Sequence, residues 1–222
     1  MITKSILRAR DVWASPLLLM LLMIVAECFG DAGRAALRFD RALIAQGQWW
    51  RLLTGSLVHL GWYHLMLNAI GIGVLVLLCP QRLSPWIWLR RLALLALGMS
   101  LCLYAFVPGL QTYVGMSGVI HGLFVLGLVP PLLGRAEDGR VPDRCDRLIA
   151  GACLAYLLGK LGWEIVTGTP VSDEAAIGGH VVTESHLYGA LAAFVYGLVF
   201  GSFSGREARA DFPQPLPQES IK

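Results

Sequence analysis

Six long apolar runs decide what this chain can become: about 12–29, 60–79, 86–107, 116–134, 148–167 and 185–203. A helix needs roughly 20 mainly apolar residues to cross about 30 Å of hydrocarbon. In lipid the backbone finds no water, so such runs must satisfy their own amides as helices. A soluble bundle would need polar faces at helical spacing, and the stretch from Ser15 to Val25 has none. Composition agrees, with 56% hydrophobic and only 15% charged residues, against about a quarter charged in soluble domains. The expected fold is an all-α membrane protein of six transmembrane helices. It comprises one domain over 1–204, without internal repeats, and a polar tail, 205–222, carrying Pro213, Pro215 and Pro217 and read as disordered.

Lys4, Arg8 and Arg10 before the first run resemble the start of a signal peptide. No small-x-small cleavage site follows, so the run is read as a retained anchor. Basic residues favour the cytoplasmic side. They occur before span one, between spans two and three (Arg82, Arg90, Arg91), between four and five (Arg135, Arg140, Arg144, Arg147) and after span six (Arg206, Arg209, Lys222). The 3–4 and 5–6 loops have none. Both termini are therefore expected in the cytoplasm, in a bacterial inner membrane. Only the 1–2 connection breaks the pattern, with Arg34, Arg38, Arg41 and Arg51. That connection is long and half apolar, and Trp49-Trp50 suits an interface, so short interfacial helices are expected there. The net charge of +3 reflects topology and gives no reason to invoke nucleic acid. The five cysteines have no metal-site spacing and read as small apolar residues; neither metal nor cofactor is expected.

Ionisable residues within spans are expensive and are functional candidates by default. The polar residues in the spans are His64 and Asn68 in span two, Ser117 and His121 in span four, Lys160 and Glu164 in span five, and Glu184, Ser185 and His186 at the start of span six. Metal-dependent hydrolysis would need His-Glu-x-x-His, which is absent. An aspartic mechanism would need two buried carboxylates, and no span contains an Asp. A serine mechanism has its parts. Ser117, between Gly115 and Gly118, stands where a loop enters span four, at a helix N-terminus whose free N–H groups suit a developing oxyanion. His186 lies at the same depth on span six. Gly118 and Gly122 face a matching series, Gly189, Ala193, Gly197 and Gly201, and small-xxx-small faces let membrane helices approach closely. His64 and Asn68, four apart on one face, can donate toward the same point.

Blander roles exist for each. Serine in membrane helices is commonly a packing residue, and interhelical polar bonds such as those of His64 and Asn68 are ordinary. His121 is four residues from Ser117 and competes as base; His186 is assigned that role, and His121 that of a stacking or orienting partner. Glu184, two residues from His186, points away from it. His59 and the Lys160/Glu164 pair read as structural, with binding of a polar tail or headgroup as the pair's alternative, and His180 as a solvated loop residue.

Together Trp50-Arg51, His59 with His64-x-x-x-Asn68, Gly115-x-Ser117-Gly118 and His186-x-x-Gly189 resemble the rhomboid family of intramembrane serine proteases, in order and on the corresponding spans. The resemblance covers nearly the whole chain. It implies the six-helix rhomboid fold with a long interfacial loop between helices 1 and 2. It also implies a catalytic dyad, nucleophile Ser117 and base His186, without an acid, and an oxyanion hole of His64, Asn68 and the Ser117 N–H. Gly115, Gly118, His121, Gly189, His59 and Arg51 would support it. The site would open to the periplasmic side. His121 stands where many rhomboids carry an aromatic. With His186-Leu187-Tyr188-Gly189 and the Lys160/Glu164 span, it is similar to the rhombosortase branch. The partners this implies are membrane-anchored proteins with a C-terminal Gly-Gly motif, one membrane helix and a basic end. The alternatives are a silent relative that binds client helices, and a small transporter, for which the expected inverted repeats are missing.

Overall fold

The computed structural model describes residues 2–135 and 141–207, with side chains from Val12 onward. Each apolar run forms one helix: α1 (Ile2–Cys28), α5 (Trp62–Leu78), α6 (Pro85–Phe106), α7 (Ser117–Leu132), α8 (Arg144–Thr167) and α10 (Glu184–Phe200). Between α1 and α5 lie α2 (Gly30–Leu37), β1 (Phe39–Asp40), α3 (Arg41–Ala45) and α4 (Arg51–Thr54). β2 (Thr112–Tyr113) precedes α7, and α9 (Glu174–Ile177) precedes α10.

This is an all-α membrane fold. Among the described residues, α6 and α8 alone are long and apolar enough to cross a bilayer outright. The run Val12–Cys28 joins α2 as a pair bent by 112°, and α5 and α7 are apolar but shorter. At 1.5 Å per residue, the 16 residues of α7 and 17 of α5 reach about 24–26 Å, a few ångströms less than a hydrocarbon core. The long helices start on local signals. The Ser84 side chain accepts from the Ile87 N–H ahead of Pro85 at the start of α6. Asp143 and Asp146 form a reciprocal capping box on α8.

Apart from Ser117 and His121, α7 is apolar all round, and it sits at the centre, packed against α10, α8, α5 and α6. Its tightest partner is α10. A Cβ at Gly189 would fall on the Gly118 carbonyl, and a Cβ at Gly118 on the Ser185 carbonyl and the Met99 sulfur. Backbone therefore meets backbone at this crossing.

The connection between α1 and α5 is held by more than its short helices. β1 pairs antiparallel with β2, Phe39 opposite Tyr113 and Asp40 opposite Thr112, an element the sequence pattern did not suggest. The arginines that run against the charge pattern are committed here. Arg41 donates to the carbonyls of Leu103 (3.1 Å), Tyr104 (2.9 Å), Val107 (2.8 Å) and Leu110 (2.8 Å), closing the C-terminal end of α6. Arg51, 5% exposed, donates to the carbonyls of Ala35 and Arg38, both at 2.9 Å. Arg34 donates to the His59 carbonyl at 2.6 Å.

The opposite end of the bundle is closed by a buried charge cluster. Glu207 accepts from Arg90 and Arg91, each at 2.7 Å, and from the hydroxyls of Tyr196 and Ser202. The tail expected to be disordered from 205 thus begins with a buried carboxylate; beyond Glu207 it lies outside the described residues, as does 136–140 in the charged loop.

The Gly118–Gly189 crossing carries a prediction. Gly189→Ala must separate α7 from α10 and is expected to destabilise the protein by about 1–3 kcal/mol. Gly159→Ala on α8, where a Cβ meets nothing within 4 Å, should be neutral or stabilising by up to about 1 kcal/mol. Thermal unfolding of both variants in detergent checks the contrast.

Candidate active site

Ser117 is the first residue of α7, so its N–H belongs to the amides without an intrahelical acceptor. The chain reaches it through Gly115, whose φ of +119° suits glycine alone. The Gly115 N–H donates to the Gly55 carbonyl (3.1 Å), and the Tyr113 hydroxyl donates to the Gly115 carbonyl (2.7 Å). A side chain at Gly115 would run into the His64 ring, so the glycine also lets α5 bring that ring against the start of α7.

The close crossing of α7 and α10 puts His186 Nε2 3.0 Å from Ser117 Oγ. His186 is 4% exposed, and the ring of His121 stacks on it with centroids 4.2 Å apart and planes 15° apart. His121 Nδ1 lies 2.7 Å from the Ser117 carbonyl oxygen, and its Nε2 3.1 Å from Lys160 Nζ. On the far side of His186, Nδ1 is 2.8 Å from Glu164 Oε2. Lys160 Nζ bonds Glu164 Oε1 at 2.6 Å and stands 3.2 Å from His186 Nδ1.

On α5, His64 Nδ1 accepts from the Leu60 N–H at 3.4 Å, which leaves Nε2 as the protonated nitrogen. Asn68 donates one amide proton to the His64 carbonyl at 2.9 Å and has a second to offer. His64, Asn68, Ser117, His121, Lys160 and His186 line a cavity of about 370 Å³. From there the cavity continues between α5 and α8 along apolar side chains to Leu78 and Leu128, and Ile177 and Val181 lie over its Ser117 end.

Other candidates fall outside this group. Arg51 braces the connection after α1. Gly118 and Gly189 act as backbone spacers. Glu184 is exposed and His180 pairs with Glu174 at 2.8 Å. His59 is fully buried beside the site, its ring edge-on to His64 at 5.0 Å, with no hydrogen-bond partner on either nitrogen among the described residues. Burial, together with His64 and Arg34, lowers its pKa to about 3, so it packs as a neutral ring.

Glu164 is the residue whose place the sequence reading missed. Lys160 and Glu164 pair at i,i+4, which alone accounts for two charges inside a span. The available signal was depth: Glu164 lies three residues from the end of its run, and His186 one residue from the start of its own.

A serine hydroxyl, an imidazole in hydrogen-bond reach, and N–H donors around one apolar cavity form the equipment of acyl transfer. Residues 46–203 match the rhomboid domain, which is more than half of the chain. The chain therefore belongs to the rhomboid family, whose members are intramembrane serine proteases. It is also similar to "Putative rhomboid protease YdcA" of Bacillus subtilis (strain 168), 33% identical over 81 residues, 36% of this chain and 41% of that protein. The chain thus covers less than half the length of this relative.

Buried His59 yields a pH prediction. An unfolded chain binds a proton there below about 6.5, whereas the folded chain refuses it down to about 3, so stability falls as the pH drops through this window. Between pH 7 and 5 the loss from this group is roughly 2 kcal/mol. Unfolding of wild type and His59→Phe at both pH values checks it: the variant should lose less, and equal losses would exclude a neutral buried His59.

Proposed function

We propose that this protein is an intramembrane serine endopeptidase in which Ser117 is the nucleophile and His186 the general base. The observation that carries this reading is the 3.0 Å contact between Ser117 Oγ and His186 Nε2 on the wall of an apolar cavity. On this reading all six apolar helices span a bacterial inner membrane, both termini are cytoplasmic, and the site opens toward the periplasm.

A substrate segment reaches the cavity laterally between α5 and α8 and unwinds at its Ser117 end. Neutral His186 takes the hydroxyl proton at Nε2 as Oγ attacks the scissile carbonyl. His64, Asn68 and the Ser117 N–H donate to the oxyanion. His186 then returns the proton to the leaving amine, and water or an amine acceptor resolves the acyl-enzyme. The stacked His121 and the Lys160/Glu164 span support the narrower assignment to the rhombosortase branch. Its substrates are exported proteins anchored by a C-terminal Gly-Gly motif, a membrane helix and a basic end.

The test is co-expression with a reporter carrying such a tail, read by mass spectrometry. Wild type should cleave it, while Ser117→Ala and His186→Ala should lose activity by at least about 10³-fold. A fluorophosphonate probe should label wild type but not Ser117→Ala. Cleavage requires neutral His186, so the rate should fall on acidification. Cleavage of a general rhomboid substrate but not of the Gly-Gly tail would retain the protease and discard the substrate class. Absence of both cleavage and labelling would leave a silent relative that binds client helices.

A further inference from the structure

His186 is held from a side that a serine–histidine dyad does not use. Nδ1, the nitrogen turned away from Ser117, lies 2.8 Å from a carboxylate oxygen of Glu164, and that carboxylate is 2% exposed. The other oxygen is bound to Lys160 at 2.6 Å. The polar groups that face the ring lie on three helices packed around it. Ser117 and His121 come from α7, Lys160 and Glu164 from α8, and His64 from α5. Glu184, on α10 itself, is turned outward to the surface.

One arrangement gives each contact of 3.1 Å or less one proton and leaves the 3.2 Å approach of Lys160 Nζ to His186 Nδ1 unbonded. His121 Nδ1 faces a carbonyl oxygen, so it carries the proton, and its Nε2 accepts from Lys160. Lys160 spends a second proton on Glu164 Oε1. Glu164 Oε2 then accepts from His186 Nδ1–H. That leaves His186 Nε2 with a free lone pair toward the Ser117 hydroxyl. The alternative has Lys160 donating to His186 Nδ1 across 3.2 Å. It would set a carboxylate against a lone pair at 2.8 Å. It would also put the proton on Nε2, where the ring no longer acts as a base.

We infer that Glu164, held by Lys160, is a positioning residue for His186 that fixes its tautomer and balances the imidazolium formed during catalysis. This rests on the protease reading above. In the first step the Ser117 O–H bond breaks, its proton goes to His186 Nε2, and the oxygen electron pair forms the bond to the scissile carbonyl carbon as the C=O π pair moves onto the carbonyl oxygen. His186 then carries two N–H bonds and a positive charge, facing the Glu164 carboxylate through Nδ1. On collapse of the tetrahedral intermediate the oxyanion pair re-forms C=O, the C–N bond breaks, and the Nε2 proton goes to the leaving amine, which restores the neutral ring. Lys160 serves the carboxylate rather than the ring: its charge offsets that of Glu164, so the pair is neutral before the proton moves. The Ser–His–carboxylate arrangement works in the same way in soluble serine proteases, where replacing the acid by its amide leaves the geometry but lowers kcat by about 10⁴.

Separating this role from a purely structural one requires removing the acid without stranding a charge. Wild type, Glu164→Gln, Lys160→Met and the double variant Lys160→Met/Glu164→Gln are compared in detergent. The measurements are kcat and KM on a cleaved reporter, fluorophosphonate labelling of Ser117, and unfolding temperature. Glu164→Gln and the double variant should both lose about 10²–10⁴-fold in kcat and label correspondingly slowly, with KM within about threefold of wild type. Lys160→Met, which keeps the carboxylate, should lose less. If Glu164→Gln fails to fold with Lys160 left unpaired, the charge-free double variant still carries the test. A double variant that regains the wild-type kcat and labelling rate would overturn the inference and make the pair a scaffold. A wild type that neither cleaves nor labels would instead overturn the protease reading on which the inference rests.

Discussion

No side chain separates α7 from α10 where Gly118 and Gly189 meet, and the candidate site depends on that contact. Between helices in lipid there is no hydrophobic driving force to exploit, so association rests on close packing and interhelical polar bonds. Ser117 precedes Gly118 by one residue and His186 precedes Gly189 by three, one turn of helix. The hydrogen bond between their side chains therefore takes its length from the distance between two helix backbones. A methyl group at either glycine would move both axes by more than a hydrogen bond tolerates. The loop side is fixed by different means: backbone bonding of Gly115 to Gly55, and the Tyr113 hydroxyl on the Gly115 carbonyl.

Charges inside this protein are gathered at the two ends of the bundle and are paired there. Lys160, Glu164 and the histidines occupy the Ser117 end; Arg90, Arg91 and Glu207 occupy the other. The reason is electrostatic. A buried charge without a partner costs several kcal/mol, and one with well-placed partners can be retained. The same reasoning covers the arginines of the connection after α1. Arg34, Arg41 and Arg51 give their protons to backbone carbonyls that helix ends and turns leave open. Their presence there follows from folding that connection and need not follow the charge bias that orients membrane helices.

The helices were legible in the sequence because hydropathy alone determines them; each apolar run became one helix, displaced by a few residues at most, apart from the N-terminal extension of α1. Ser117, His186, His64 and Asn68 could be singled out because polar groups in apolar runs are few, and a shared depth narrows them further. Pairing across helices was harder to read. The bridge between Phe39–Asp40 and Thr112–Tyr113 joins two loops by two residues each, too short for any alternation pattern. Glu164 was hidden by its own neighbour: a lysine four residues earlier satisfies it on paper, and a sequence cannot show that a carboxylate has a second oxygen to share with another helix. By composition Glu207 belongs to the polar stretch that leads into Pro213, Pro215 and Pro217, yet its burial depends on Arg91, 116 residues away.

The cavity's polarity bears on how a peptide bond would be exposed to Ser117 on the proposed reading. In a membrane helix each carbonyl is already bonded within its own chain, and breaking that bond in hydrocarbon leaves a donor and an acceptor bare. Along α5 and α8 the cavity wall is apolar, so a segment lying there has every reason to remain helical. At the Ser117 end the wall changes: His64 Nε2–H, the second Asn68 amide proton and the Ser117 N–H at the start of α7 are donors that face it. An unwound carbonyl gains partners only there. The donors that would hold the oxyanion in the transition state thus also reduce the cost of presenting the carbonyl in the ground state. Selection of the bond to be cut is then set by where a segment can unwind as well as by the side chains beside it.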